Sequence, residues 1–141
     1  MLCGALDRKS SPLNPELRSL VTVLVPQINW CQFCVDINSA TLAKRSGSLE
    51  KVEELTQWKE SDLLDEKEKL VLEYTEAVTY SDQQVTDELM DRLKGFFDED
   101  GVVELTGLIA FQNLSSKFNS ALGVPAQGFC KIPFDQSNNK T

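Results

Sequence analysis

The most informative stretch of the 141-residue chain is Asn29-Trp30-Cys31-Gln32-Phe33-Cys34-Val35-Asp36-Ile37-Asn38-Ser39-Ala40. Its two cysteines are separated by two residues, so on a helix they lie at positions i and i+3 of one face. Residues 28–30 read as an irregular lead-in, which places Cys31 in or near the first turn. Unpaired backbone N–H groups there stabilise a thiolate and are expected to lower the pKa of the Cys31 thiol from ~8.5 towards neutrality. The pair therefore predicts dithiol–disulfide exchange, in which one sulfur attacks and the other resolves the mixed disulfide.

Two other interpretations of the cysteine pair stay open at this point. The cysteines could be small buried hydrophobic residues. They could also be half of a zinc site, but Cys3 and Cys130 are the remaining thiols and the chain has no histidine. We therefore expect neither a metal nor another cofactor, and Cys3 and Cys130 are interpreted as incidental.

Composition excludes several classes of function. The absence of histidine rules out a Ser-His-Asp triad, a Cys-His pair and a His-ligated metal. A net charge of −8, from 14 basic and 22 acidic residues, disfavours nucleic-acid and anionic membrane partners. The length is that of one domain, here residues 1–141. With no secretion signal, we expect a cytoplasmic protein with reduced thiols.

Helix boundary signals recur along the chain, and no long alternation of Val, Ile or Thr suggests a strand. A first helix is expected to begin at Asn14-Pro15-Glu16 and to end or bend at Pro26. A second helix carries the cysteines, runs to about Arg45 and stops at Gly47. Residues 15–45 should thus form an antiparallel hairpin with the cysteines at its tip.

Further helices complete an all-α fold of about six helices. Their expected N-terminal caps are Ser48, Asp65 and Thr86. Residues 98–101 are interpreted as a turn before a last helix over about 102–122. That helix is apolar over much of its surface, which is typical of a central helix or of one shared with another subunit.

These residues resemble a known family. Residues 17–20 and 29–40 are similar to the core motif of the AhpD-like alkylhydroperoxidase and carboxymuconolactone decarboxylase family, Asn-x-Cys-x-x-Cys-x3-His. The order of the following segments is similar too, so the resemblance covers roughly residues 13–128. It implies a helical fold, a homo-oligomer of three or six subunits, and thiol-dependent reduction of peroxides or disulfides. Decarboxylation is disfavoured because the family's decarboxylases generally lack the cysteine pair.

The chain departs from the family pattern at two positions. Asn38 stands where the family has its histidine, four residues after Cys34, and Ser19 stands where it has the glutamate of its proton relay. Asn38 could orient a water or donate to a thiolate but cannot titrate. Glu16 could be a displaced carboxylate, although an ordinary acid in a first helical turn is the simpler interpretation. Asp36 is interpreted as solvent-exposed.

Two functions follow from these observations. The leading one is a thiol–disulfide oxidoreductase that uses Cys31 and Cys34, with weak hydroperoxide reduction as a second activity. Its substrates would be small peroxides or disulfides, and an external thiol or protein reductant would restore the pair. The resemblance makes Cys34 the peroxide-reactive sulfur, whereas the helix N-terminus favours Cys31, and the attacking thiol in disulfide exchange stays open. The alternative is a non-catalytic helical oligomer that has lost the relay.

Overall fold

The computed structural model describes residues 11–128, and this part of the chain contains six α-helices, one 3₁₀ helix and no strand. The α-helices are α1 (Pro15–Ile28), α2 (Gln32–Ser46), α3 (Glu50–Glu54), α4 (Glu66–Thr79), α5 (Asp87–Lys94) and α6 (Glu99–Ala121). The 3₁₀ helix, Leu55–Glu60, follows α3 directly. The all-α prediction is confirmed.

Helices α1 and α2 form the predicted hairpin. Asn14 caps α1 by accepting a hydrogen bond from the Leu17 N–H at 2.7 Å, and Pro15 occupies the first helical position. At the far end of α2, Gly47 has φ 73°, a left-handed conformation that glycine adopts without steric cost. Helix α1 packs against α2, α4 and α6, so it is the central helix of the core.

Three local expectations need correction. Helix α1 passes through the buried Pro26 and ends at Ile28, because a proline in the last turn removes only one helical hydrogen bond. The residue at the cap position of α3 is Leu49, although the Ser48 hydroxyl still accepts from the Glu50 N–H at 2.9 Å. Residues 98–101 are not a separate turn: Asp98 caps α6 by accepting from the Gly101 N–H at 2.8 Å.

Helix α6 is not central, and its apolar residues divide between two faces. One face is buried in the core and includes Leu105, Leu108 and Ile109. A second face, the apolar stripe, consists of side chains that are between 63% and 70% exposed: Val103, Leu114, Phe118 and Leu122. No helix in residues 11–128 has the length and hydrophobicity needed to cross a membrane.

Candidate functional site

The two cysteines lie at the tip of the hairpin, in a segment that we call the cysteine turn (residues 29–34). Cys31 is the N-terminal cap of α2, and its sulfur accepts a hydrogen bond from the Cys34 backbone N–H at 3.2 Å. Both thiols are reduced and almost inaccessible, with 1% of Cys31 and 3% of Cys34 exposed. The capping bond uses the backbone N–H three residues after Cys31, and the C-x-x-C spacing places the second cysteine at that position.

The residue before the pair has a strained backbone. Trp30 has φ 64°, in the left-handed region, where a bulky side chain is disfavoured by about 1–2 kcal/mol. This conformation lets the chain leave α1 and enter α2 within three residues. Local strain at a site must be held by surrounding contacts, and α6 supplies them.

Polar side chains of α6 tie the cysteine turn to the core. The Asn29 amide donates to Asn113 Oδ1 and to Ser116 Oγ, each at 2.9 Å. Asn113 in turn donates to Thr79 Oγ1 on α4 at 3.1 Å. The Ser120 hydroxyl donates to the Trp30 carbonyl at 3.2 Å. These contacts fix the turn from both sides of the strained residue.

Cys34 has a hydrogen-bond donor that the sequence analysis did not identify. Asn119 on α6 directs its side-chain Nδ2 at Cys34 Sγ, 3.5 Å away. Polar residues of α6 at helical spacing form what we call the polar seam: Asn113, Ser116, Asn119 and Ser120. In the sequence, these polar residues interrupt an otherwise apolar helix, which could have indicated a polar contact there. The sequence did not indicate which residues the polar seam would contact.

The thiol of Cys31 is not activated in the reduced resting state. Burial raises its pKa from an ordinary 9.0 to about 12, and the neighbouring Cys34 thiol adds to the increase. The backbone N–H groups of the first turn act in the opposite direction but are outweighed. The expectation of a pKa near neutrality is therefore wrong, because desolvation of the thiolate exceeds the stabilisation from the helix N-terminus.

The positions of the missing relay do not form a substitute relay. Ser19 is fully buried in α1, and its hydroxyl accepts from Arg45 Nη1 at 2.9 Å. Asn38 lies half-buried on α2, one helical turn after Cys34. Neither side chain titrates near neutral pH, so neither can replace the family's glutamate and histidine as an acid or base.

Glu16 belongs to an ion pair at the other end of α1. Its carboxylate lies 2.5 Å from Lys51 Nζ, which also contacts Glu68 at 3.1 Å. Burial lowers the pKa of Lys51, but its hydrogen bonds to the two glutamates outweigh that effect and raise the pKa overall. Since Glu16 precedes Asn29 by thirteen residues, about 20 Å of helix separates it from the cysteine turn. Glu16 is a first-turn acid in an ion-pair network, not a displaced catalytic base.

Asp36 is buried rather than solvent-exposed, which corrects the sequence interpretation. Its carboxylate accepts from the Gln127 backbone N–H at 3.0 Å. The contact holds the segment after α6 against α2, close to the cysteine turn. Cys3 and Cys130 lie outside the described residues. Within residues 11–128, no cluster of three or more Cys, Asp or Glu side chains is arranged to bind a metal ion.

The chain is similar to proteins of one known family. Residues 2–77 match the Carboxymuconolactone decarboxylase family. The chain is 47% identical over 137 residues to the uncharacterized protein YnjA of Escherichia coli (strain K12), covering 97% of this chain and 75% of that protein.

Two solved structures show the same fold. One is a protein of unknown function from Agrobacterium tumefaciens, named as a candidate antioxidant defence protein AhpD. It has a TM-score of 0.80 at 24% identity, over 89% of this chain and 85% of that chain. The other is an uncharacterized peroxidase-related protein with an alkylhydroperoxidase AhpD core from Ralstonia eutropha JMP134. It has a TM-score of 0.81 at 19% identity, over 91% of this chain and 68% of that chain. With more than half of its residues matched by the family and one relative similar along nearly its whole length, the chain has the AhpD-like helical fold and belongs to the carboxymuconolactone decarboxylase family.

Proposed function

We propose that the protein is a thiol–disulfide oxidoreductase that uses Cys31 and Cys34, with weak hydroperoxide reduction as a second activity. The observation that carries this proposal is the geometry of the pair. The two reduced thiols share one helical turn, and each sulfur accepts a hydrogen bond from an N–H donor. The Asn119 donor at Cys34 can stabilise the thiolate that begins the exchange.

The reaction transfers two electrons from the dithiol to the substrate. The Cys34 thiolate attacks one sulfur of a disulfide and displaces the other half as a thiolate. Cys31 then gives its proton to the displaced thiolate, attacks the Cys34 sulfur, closes the intramolecular disulfide and releases the second half of the substrate as a thiolate. With a hydroperoxide, Cys34 becomes a sulfenic acid and an alcohol leaves. Cys31 then condenses with the sulfenic acid and water is released. An external thiol or protein reductant regenerates the dithiol.

Burial of the sulfurs restricts the substrate. With 1% and 3% of the two cysteines exposed, a folded protein disulfide cannot reach Cys34 without a local rearrangement. Small peroxides and slender low-molecular-weight disulfides are the substrates that this geometry favours.

The absence of a relay should limit peroxide reduction more than disulfide exchange. Asn38 and Ser19 supply no acid to protonate the departing alkoxide, and Glu16 is held in its ion pair at the far end of α1. A positioned acid or base typically accelerates a reaction ~10²–10⁴-fold. In disulfide exchange the leaving group is already a stable thiolate, so the loss is smaller.

We also propose that copies of the chain associate through the apolar stripe of α6, as three or six subunits. Val103, Leu114, Phe118 and Leu122 together present an unusual amount of large apolar side chain to solvent along one helix. Such a surface favours burial against a like surface. A second copy carries the same stripe.

A redox assay tests the function. The reduced chain should reduce 2-hydroxyethyl disulfide, and either Cys31→Ser or Cys34→Ser should abolish turnover. The matched control is the Cys3→Ser, Cys130→Ser double variant, which keeps the pair and should keep the activity. If the pair of the parent chain does not cycle between dithiol and disulfide, the oxidoreductase proposal fails. The non-catalytic oligomer is then the better explanation of the fold.

A further inference from the structure

Asn119 is the described side chain that donates to the sulfur of Cys34. Its Nδ2 lies 3.5 Å from Cys34 Sγ, although 85 residues separate the two in sequence. An N–H donor at this position strengthens its hydrogen bond when the sulfur becomes a thiolate, because hydrogen bonds to charged acceptors are stronger than those to neutral ones.

The surroundings hold the Asn119 amide in place. On one side, Ser116 accepts from Asn29, and on the other, Ser120 donates to the Trp30 carbonyl. These two contacts fix α6 relative to the cysteine turn one helical turn before Asn119 and directly after it. A donor whose position is set before the reaction stabilises developing charge without reorganisation.

The amide suits a chain that has no histidine. An asparagine N–H donates at every pH and cannot release its proton, so it stabilises a thiolate without acting as an acid. That property supports thiolate attack and thiolate departure in disulfide exchange, but it provides no proton for an alkoxide. The presence of an amide rather than a titrating group at this sulfur agrees with disulfides as the preferred substrate class.

We infer that Asn119 is a catalytic residue that stabilises the Cys34 thiolate through its side-chain N–H. The inference rests on the proposed function of the Cys31–Cys34 pair. The donor acts when the Cys34 thiolate attacks a substrate disulfide. It acts again when an external thiolate attacks Cys31 of the oxidised pair and Cys34 leaves as a thiolate. In both steps one S–S bond breaks as another forms, and the negative charge moves from the attacking sulfur to the leaving sulfur.

The test measures the reactivity of Cys34 alone. In a Cys3→Ser, Cys31→Ser, Cys130→Ser background, Cys34 is the one remaining thiol, and serine at position 31 is a favourable cap for α2; iodoacetamide alkylation of Cys34 is followed from pH 6 to pH 10. The variant Asn119→Leu keeps the shape of the side chain and removes the donor. We expect it to lower the rate at pH 7 about tenfold or more, in line with the strength of hydrogen bonds to charged groups, and to move the alkylation profile to higher pH. Asn119→Asp should lower the rate further, since a carboxylate repels the thiolate.

The matched control is Gln112→Leu. Gln112 lies seven residues before Asn119, hence two turns earlier on the same face of α6, and this variant should leave the profile of Cys34 unchanged. An Asn119→Leu profile that superimposes on that of the parent overturns the inference. The inference is also overturned if Gln112→Leu moves the alkylation profile of Cys34 as far as Asn119→Leu does, because that result would indicate a general loosening of α6. Circular dichroism checks that each variant is folded, and Asn119→Asp provides an independent measurement if the leucine variant is not.

Turnover separates this inference from the proposed function. With both cysteines present, Asn119→Leu should reduce the rate of disulfide reduction about as much as it reduces alkylation. If the parent does not reduce disulfides while Asn119→Leu still displaces the alkylation profile, the proposed function fails and the thiolate contact stands. If the parent turns over and Asn119→Leu changes neither rate, the contact is overturned and the function stands.

Discussion

Replacing Asn113 by leucine should loosen the cysteine turn. Asn113 links the cysteine turn to α4 through two long-range contacts, one from Asn29 at 2.9 Å and one to the buried Thr79 at 3.1 Å. Each such bond contributes about 0.5–1.5 kcal/mol net, so losing both should lower the free energy of unfolding by about 1–3 kcal/mol. Leucine has the same number and branching of side-chain heavy atoms, and Asn29 retains its bond to Ser116, which argues for the lower half of that range.

Urea denaturation with the thiols reduced measures this change. The midpoint should fall while the dependence of the unfolding free energy on urea stays constant. The neighbouring Gln112→Leu variant also replaces a half-buried amide of α6 by leucine, and it should stay within about 0.5 kcal/mol of the parent. A loss below 0.5 kcal/mol in Asn113→Leu, or an equal loss in both variants, would refute the idea that the polar seam holds the turn. In a Cys3→Ser, Cys130→Ser background, alkylation of Cys31 and Cys34 should also become faster in Asn113→Leu and not in Gln112→Leu, because the strained turn opens more often.

Three further predictions concern assembly, pH and the relay. Leu114→Glu places a charge in the apolar stripe and should shift the proposed oligomer towards monomer in sedimentation analysis, whereas an unchanged mass would contradict association through α6. Because burial raises the pKa of Cys31 from 9.0 to about 12, folding favours the protonated thiol. The free energy of unfolding should therefore be unaffected below pH 9 and should fall as the pH rises from 9 towards 12. Cys31→Ser should show a smaller loss over the same range in urea melts. Asn38→His together with Ser19→Glu should raise peroxide turnover more than either change alone, since the two groups act as a unit; strictly additive effects would count against a rebuilt relay.

Sequence alone was sufficient wherever a structural feature depends on residues close together in the chain. The caps Asn14, Asp65 and Thr86 each accept from an N–H three residues later, so the sequence contains both partners. The same holds for Gly47 at the end of α2 and for the C-x-x-C pair, whose spacing places two sulfurs on one turn. The hairpin, the helical fold and the resemblance followed from these local features.

Where local signals competed, the sequence did not decide the helix boundaries. Pro26 and the acidic run at residues 98–101 both suggested an interruption, yet one lies inside α1 and the other begins α6. A proline in a last turn costs little, and aspartate favours a helix N-terminus as strongly as it favours a turn. Deciding between such options requires knowing what the neighbouring helices stabilise.

Only the tertiary structure decided the environment of the thiols. Asn119 reaches Cys34 across 85 residues because α6 packs its polar seam on the cysteine turn, and no local pattern specifies that contact. The same packing buries Cys31, raises its pKa and so reverses the effect expected from the helix N-terminus. Lys51 likewise holds Glu16 in an ion pair far from the turn. Helix boundaries depend mainly on neighbours in the chain and could therefore be predicted from the sequence. Hydrogen-bond partners and desolvation depend on which helix faces meet in space, so they had to be observed in the structure.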